Sequence, residues 1–303
     1  MEYSLSRPFL IQRIIAFLAL SDSRQHTTPT ESNCLLHKDE EGPVRTYNWS
    51  YRSVIGMLNY LCGTRPDILF AVHQCARFCE HPKLSHEKAV KRIVRYLKIT
   101  PNEGVVLHPD SSWGIQCYVD ADFAGSWNST DSDDPSSVYS RTGYVIMYAG
   151  CPIVWVSKLQ TEVALSTTEA EYIALSQAML DLIPLLGLLE ELSLVLKLST
   201  DKPGVHWRAC GYENGQFVAD LFEDNRGAYE LVRRPKCGHE QNTLQLSIII
   251  SGKLFLIIQF AFIQSEPRIK LQTYSPKDSL AISSSFFVNY YVDGDQVYHT
   301  REC

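Results

Sequence analysis

The stretch Gly114-Ile-Gln-Cys-Tyr-Val-Asp-Ala-Asp-Phe-Ala-Gly125 decides the fold of this chain. Apolar side chains occupy every second position from Ile115 to Val119, a period that predicts a β-strand with one face in the core. Gly125 permits a sharp change of direction where the strand ends. Asp120 places a carboxylate at the end of this apolar strand, which is costly unless the charge is paired. Two interpretations follow: Asp120 binds a metal ion, or it caps the strand end at the surface.

Two further carboxylates follow at the ends of predicted elements. A helix is predicted to begin at Ser166-Thr-Thr-Glu-Ala-Glu171, and a second strand to end at Leu221-Phe-Glu-Asp224. Asp224 either joins Asp120 or caps a short helix that is predicted to begin near Arg226. The sequence therefore predicts carboxylates at two strand ends and at one helix start.

The helix start offers two glutamates for one position in the site. Ser166 and Glu169 fit a capping box, in which each side chain binds a backbone N–H of the first turn, so Glu169 has a structural role. Glu171 lies roughly 200° further around the helix. It shares the face of Ala174 and Ala178, which is predicted to pack on a sheet. We therefore assign Glu171, rather than Glu169, to the site.

Three motifs carry a resemblance to a known family. In this order, Tyr118-Val-Asp-Ala-Asp-Phe-Ala-Gly125, Ser166-Thr-Thr-Glu-Ala-Glu-Tyr172 and Phe222-Glu-Asp-Asn-Arg-Gly-Ala228 resemble the ribonuclease H domain of copia-type retrotransposon polyproteins. The resemblance implies an α/β fold over residues 112–236, with a five-stranded mixed sheet flanked by helices. It implies endonucleolytic hydrolysis of the RNA strand of an RNA–DNA hybrid, recognised through its backbone and 2′-hydroxyls.

The resemblance also implies a catalytic metal centre. Two Mg²⁺ ions ~3.5–4 Å apart activate a water and stabilise the leaving oxygen, and Mg²⁺ takes oxygen ligands. The matching positions are Asp120, Glu171 and Asp224, and no small-molecule cofactor is expected. A fourth carboxylate of the family follows a Leu-Ala step, but Ile282 stands at that step here. The second Mg²⁺ would therefore be poorly held, and the alternative is an inactive transposon remnant that at most binds nucleic acid.

Residues 1–100 are predicted to be a mainly helical connector. Tyr51–Leu61, Thr64-Arg-Pro-Asp-Ile68 and the helix that ends at Leu97 resemble the end of the reverse transcriptase region in the same polyproteins. The Tyr-x-Asp-Asp motif that binds polymerase metals does not occur in the sequence, so we expect no polymerase activity. Within this block, Thr64 is predicted to cap one helix and Ser85 to open the next.

The last helix of the connector carries a row of basic side chains. Lys88, Lys91, Arg92 and Arg95 lie beside its apolar stripe. They form either an ordinary solvated face or a stripe that follows the phosphates of a bound duplex. We assign them to nucleic-acid binding.

Composition adds limits on partners and compartment. A net charge of −6 excludes a protein coated in positive charge, although a local basic stripe still binds phosphates. The nine cysteines show no paired spacing and indicate reduced thiols in a cytosolic-type compartment. No secretion signal is favoured. Residues 237–303 form a divergent tail. Its apolar segment Leu246–Ile263 is either a membrane span, with Lys253 near its middle, or a β-hairpin that turns at Ser251-Gly252. We therefore favour a chain without a membrane partner.

Overall fold

The computed structural model describes residues 2–31, 36–110, 113–127, 134–195, 212–213, 216–228 and 269–273. The helices, in chain order, are α1 (Pro8–Phe17), α2 (Tyr51–Cys62), α3 (Leu69–Ala76), α4 (Leu84–Ile99) and α5 (Thr167–Val195). The strands, in chain order, are β1 (Tyr3–Leu5), β2 (Val105–Leu107), β3 (Ile115–Asp122), β4 (Arg141–Tyr148), β5 (Cys151–Leu159), β6 (Tyr212–Glu213), β7 (Gln216–Phe217), β8 (Ala219–Glu223) and β9 (Ile269–Thr273).

Helices α1 to α4 share one apolar core. Its fully buried members recur at helical spacing, as the sequence predicts for the connector. They include Ile11, Ile14, Val54, Leu58, Leu61, Val72, Val90, Val94 and Leu97. Ser50 caps α2 by accepting a hydrogen bond from the backbone N–H of Ser53 at 3.3 Å. Helix α2 ends at Cys62, so the prediction that Gly63 terminates it is confirmed.

One predicted cap in this helical part is wrong, and one predicted helix start differs by one residue. The hydroxyl of Thr64 donates back to the carbonyl of Leu61 at 3.2 Å, so it is not available to cap the next helix. A single 3-10 turn, Pro66–Ile68, precedes α3 instead. Helix α4 begins at Leu84, before Ser85, because the backbone N–H of Lys83 donates to the His86 ring at 2.9 Å.

The central sheet is mixed, with strands paired in the order β5-β4-β3-β8-β9. Strand β4 pairs antiparallel with both β3 and β5, whereas β3–β8 and β8–β9 are parallel pairs. The apolar residues of β3, including Cys117 and Val119, form a core with α5. This α/β arrangement with flanking helices is compatible with the ribonuclease H-like fold that the resemblance implies.

Helix α5 runs unbroken from Thr167 to Val195, with Pro184 inside it. The sequence leaves open whether Pro184 ends or kinks this helix, and it does not end it. By length and composition α5 is apolar enough to cross a membrane, but half of its most apolar window is buried inside the protein. The buried half packs in the core against the sheet, whereas Leu188, Leu194 and Val195 are exposed. The other candidate span, Leu246–Ile263, lies outside the described residues.

The helical part also contacts the sheet. The indole Nε1 of Trp155 on β5 donates to the carbonyl of Cys62 at 2.9 Å. The Nδ1 of His73 on α3 hydrogen-bonds the carbonyl oxygen of Ser157, also on β5. These contacts fall on the strand at one end of the sheet order. The division into residues 1–100, 112–236 and 237–303 stays a prediction.

Candidate metal centre

The pairing of β3 with β8 brings Asp120 beside Asp224. Tyr118 and Phe222 are partners in this parallel register, and their rings stack at 4.6 Å. Asp120 and Asp224 each lie two residues beyond this aromatic pair. Because side chains on one strand face recur every second residue, the two carboxylates point from neighbouring strand ends.

The third carboxylate comes from the first turns of α5. The Ser166 hydroxyl accepts from the Glu169 N–H at 3.1 Å, and the Glu169 carboxylate accepts from the Leu165 N–H at 2.8 Å. Glu169 is thus bound at the helix start, one residue further back than a standard capping box requires. Glu171 instead turns towards the sheet and is 6% exposed.

Asp120, Glu171 and Asp224 form one compact cluster. One carboxylate oxygen from each lies within 4.8 Å of the corresponding oxygens of the other two. One oxygen of Glu171, Oε2, is buried without a hydrogen-bond partner in the described part of the chain. Such a set of hard oxygen donors fits Mg²⁺ or Mn²⁺, since a cation would satisfy both the orphaned oxygen and the like charges.

The cluster is strongly perturbed electrostatically. Burial and then the charges of Glu223, Asp120 and Asp224 raise the pKa of Glu171 to about 10. Burial and the neighbouring Asp224 raise the pKa of Asp120 to about 6. Burial also raises the pKa of Asp224. Groups so disfavoured in their charged form are characteristic of sites that bind cations or transfer protons.

The turn after β3 is present as predicted, but the residue with the unusual backbone conformation is not Gly125. Gly125 does not adopt a positive φ; a Cβ at this position would lie 1.9 Å from the Asp122 carboxylate, which would have to move aside. Ala124 adopts the left-handed conformation instead, with φ 49°. Asp122 is not a member of the cluster. Its carboxylate fills the inside of the turn.

Asp224 does not cap the short helix near Arg226, a role that the sequence also allows for it. The Asn225 side chain accepts from the Ala228 N–H at 3.0 Å and so caps the helical turn that begins at Arg226. Sequence reasoning missed a fourth acid, Glu223, which is 0% exposed at the end of β8. The alternation along β8 contained the signal, because Glu223 shares the face of Ala219 and Leu221.

The predicted basic stripe on α4 is largely engaged within the protein. Lys91 is 8% exposed and pairs with Glu87 at 2.8 Å, and Arg92 pairs with Glu31 at 2.7 Å. Lys88 is exposed and Arg95 half-buried, and both line a cavity of about 630 Å³ beside α4. The continuous solvent-facing stripe is therefore wrong, because Glu87 and Glu31 neutralise its middle. Nucleic-acid binding by these residues stays a prediction.

The mixed sheet and the three converging carboxylates define the class of protein. It is an α/β protein with a candidate carboxylate metal centre at its strand ends. No protein-family model matches the chain. The retrovirus-related Pol polyprotein from transposon RE1 of Arabidopsis thaliana is 40% identical over 146 residues, which are 48% of this chain and 9% of that protein. The Pol polyprotein from transposon TNT 1-94 of Nicotiana tabacum is 36% identical over 198 residues, 63% of this chain and 14% of that protein.

A shorter relative is matched over most of its length. The secreted RxLR effector protein 161 of Plasmopara viticola is 39% identical over 132 residues, 43% of this chain and 87% of that protein. The similarity to the transposon proteins shows that the chain corresponds to a fragment of a copia-type retrotransposon Pol polyprotein. It spans only a small part of the transposon polyproteins, 9% of the first and 14% of the second.

Proposed function

We propose that this chain is a ribonuclease H of the copia type, with a five-stranded ribonuclease H-like sheet, that hydrolyses the RNA strand of RNA–DNA hybrids. One observation carries the proposal. Carboxylate oxygens of Asp120, Glu171 and Asp224, from two strand ends and one helix, meet within 4.8 Å. The same three residues match the ligand positions of the family motifs.

The roles of the residues follow from their positions. Asp120 and Asp224 would hold one divalent cation between neighbouring strand ends, and Asp120 and Glu171 would hold a second. Two such ions, when bound, supply an activated water and stabilise the leaving oxygen of the phosphodiester. The aromatic pair Tyr118–Phe222 fixes the spacing of the two aspartates, and the Ser166 cap fixes the start of α5.

The proposal is tested by cleavage of a labelled RNA–DNA hybrid by the purified chain in Mg²⁺. Asp120→Asn should lower the rate by at least ~10²–10³-fold, the usual loss at a single electrostatic catalytic contact. Glu169→Gln is the matched control, because Glu169 is a neighbouring glutamate held by the Leu165 N–H and outside the cluster. Cleavage that survives Asp120→Asn would assign the activity to a contaminant and refute the proposal.

The alternative is a catalytically inactive remnant that at most binds nucleic acid. The sequence favours it at Ile282, where the family has its fourth carboxylate. Hybrid binding without cleavage in Mg²⁺ or Mn²⁺, by a protein whose circular dichroism shows an α/β fold, would establish this alternative.

A further inference from the structure

A cavity of about 630 Å³ lies beside α4. This volume is within the range of sites that hold a small organic molecule, roughly 300–1,000 Å³. Helix α3 contributes Ala71 and Gln74 to its wall, and α4 contributes Ile93 and a row of basic side chains. None of the described residues that line it belongs to the carboxylate cluster. The cavity is therefore a separate candidate site, which the proposed function does not use.

The basic wall of the cavity carries an excess of positive charge. Four basic and two acidic side chains line it: Lys88, Lys91, Arg92, Arg95, Glu31 and Glu87. Glu87 pairs with Lys91 at 2.8 Å, and Glu31 pairs with Arg92 at 2.7 Å. Within the described part of the chain, no acid pairs with Lys88 or Arg95. Two positive charges are thus left for a ligand to balance.

Two guanidinium donors of this wall are also unsatisfied. The Nε–H groups of Arg92 and Arg95 are buried and have no hydrogen-bond partner among the described residues. Native proteins rarely leave such donors without an acceptor. Arg92 and Arg95 are three residues apart, and Lys88 lies one turn before Arg92, so all three share one helix face. An anion in the cavity would supply the acceptors that these side chains lack.

The opposite wall suits the body of an aromatic ligand. Phe70 contributes an aromatic ring, and Ala71 contributes a small apolar side chain beside it. Gln74 is 5% exposed, and its Oε1 accepts from Arg77 at 3.1 Å, which fixes the orientation of the amide. Aromatic rings stack on nucleobases, and Gln amides hydrogen-bond base edges. Together with the basic wall, this set of groups fits a base at one side and a phosphate at the other.

We propose that this cavity binds a nucleotide with a terminal phosphate monoester, whose phosphate lies at Arg92 and Arg95 and whose base lies against Phe70. A phosphate monoester carries about −1.5 to −2 charges at pH 7, which matches the two unpaired cations. Arginine binds phosphate through parallel N–H donors, and lysine binds it as a point charge. A free nucleoside monophosphate and the 5′-phosphate end of a nucleic-acid strand share this chemistry.

Calorimetric titration of the full chain with adenosine 5′-monophosphate in EDTA tests the site without any contribution from divalent cations. The wild-type protein should bind one molecule, and adenosine or inorganic phosphate should bind at least ~10-fold more weakly because each offers half of the contacts. Arg95→Gln should weaken binding by about 10–100-fold, the loss of one charge-assisted hydrogen bond. Arg52→Gln removes an exposed arginine outside the cavity and should bind as the wild type does.

Glu31→Gln should change the affinity in the opposite direction. It removes the 2.7 Å partner of Arg92, and Glu31 is 60% exposed, so the variant should fold. Binding of adenosine 5′-monophosphate should become tighter by about 2–5-fold, the range of an exposed ion pair. Damage to the fold does not tighten binding, so this gain separates a ligand site from a structural role. Affinity unchanged in Arg95→Gln, or in Glu31→Gln if Arg95→Gln does not fold, overturns the inference.

Competition identifies the source of the phosphate. A 5′-phosphorylated oligonucleotide that displaces adenosine 5′-monophosphate, when its 5′-hydroxyl counterpart does not, assigns the cavity to a strand end. Displacement by neither assigns it to a free nucleotide, and either result supports the inference. Equal displacement by both overturns it, because the terminal phosphate is then not recognised. Binding of a blunt hybrid duplex without binding of adenosine 5′-monophosphate also overturns it, and leaves Lys88 and Arg95 as contacts to a duplex.

Discussion

Replacing Glu171 by Gln is expected to stabilise the protein in the absence of divalent cations. Burial and acidic neighbours raise the pKa of Glu171 from its ordinary 4.5 to about 10, so at pH 7 the folded state keeps a proton that the unfolded chain has released. Because folding at pH 7 must take up this proton from solution, the free energy of unfolding is lower by about 3 kcal/mol than it would be without the pKa shift. Gln avoids this cost but keeps a buried polar group, so we expect a net gain of about 2 kcal/mol. That gain corresponds to a rise in Tm of about 4–8 °C.

The pH dependence fixes the sign of this effect. Because the folded pKa of Glu171 lies above the unfolded value, its contribution disfavours folding increasingly as pH rises from 4.5 towards 10. The advantage of Glu171→Gln over the wild type should therefore be small at pH 5 and large at pH 8. Thermal unfolding in EDTA across this range measures it directly.

Saturating Mg²⁺ should reverse the order of stability. A cation that binds only the folded wild type stabilises it by mass action, while the Gln variant has lost a ligand and gains less. Glu169→Gln is the control, and should be less stable than the wild type by about 1 kcal/mol at every pH because its cap is weakened. A Glu171→Gln protein that is less stable than the wild type in EDTA at pH 8 would refute the reasoning.

Two further predictions concern the helical part. Arg65→Ala should lower the free energy of unfolding in urea by about 3 kcal/mol, because it removes the 2.7 Å ion-pair partner of Asp67. Arg92→Ala should lower it by about 1 kcal/mol or less, since its partner Glu31 is 60% exposed. Equal losses in the two variants would contradict this reasoning. Replacing Lys88 and Arg95 by Ala should flatten the log–log salt dependence of hybrid binding by up to ~0.9 per contact, and an unchanged slope would make α4 an ordinary solvated face.

The sequence predicts the elements of the site well because local rules determine them. Alternation places Asp120 at the end of β3, and the Ser166–Glu169 cap separates the two glutamates of α5 by role. The ion pair between Glu87 and Lys91 can also be predicted from the sequence, since the two residues are four apart on one helix. The Arg92–Glu31 pair joins positions 61 residues apart, and no local pattern reveals it.

Other features depend on packing that a linear pattern does not contain. Glu223 looks like an ordinary acid beside Asp224 until α5 covers its strand face. Pro184 does not end α5: it removes one hydrogen bond, and Leu180, whose carbonyl loses that partner, is 48% exposed and so near water. Thr64 carries a capping side chain, but the end of α2 takes its hydroxyl first.

The contacts of Trp155 and His73 have a consequence for how the chain can be divided. An unpaired outer strand presents free backbone groups on which another chain can add, and proteins guard against such association by covering the edge. Strand β5 is one of the two outer strands in the described sheet, and α3 lies against it, with His73 bound to the backbone of Ser157. The connector thus shields the β5 edge of the sheet from self-association. A fragment that begins at residue 112 would retain every carboxylate of the site but would leave this strand edge open to other copies.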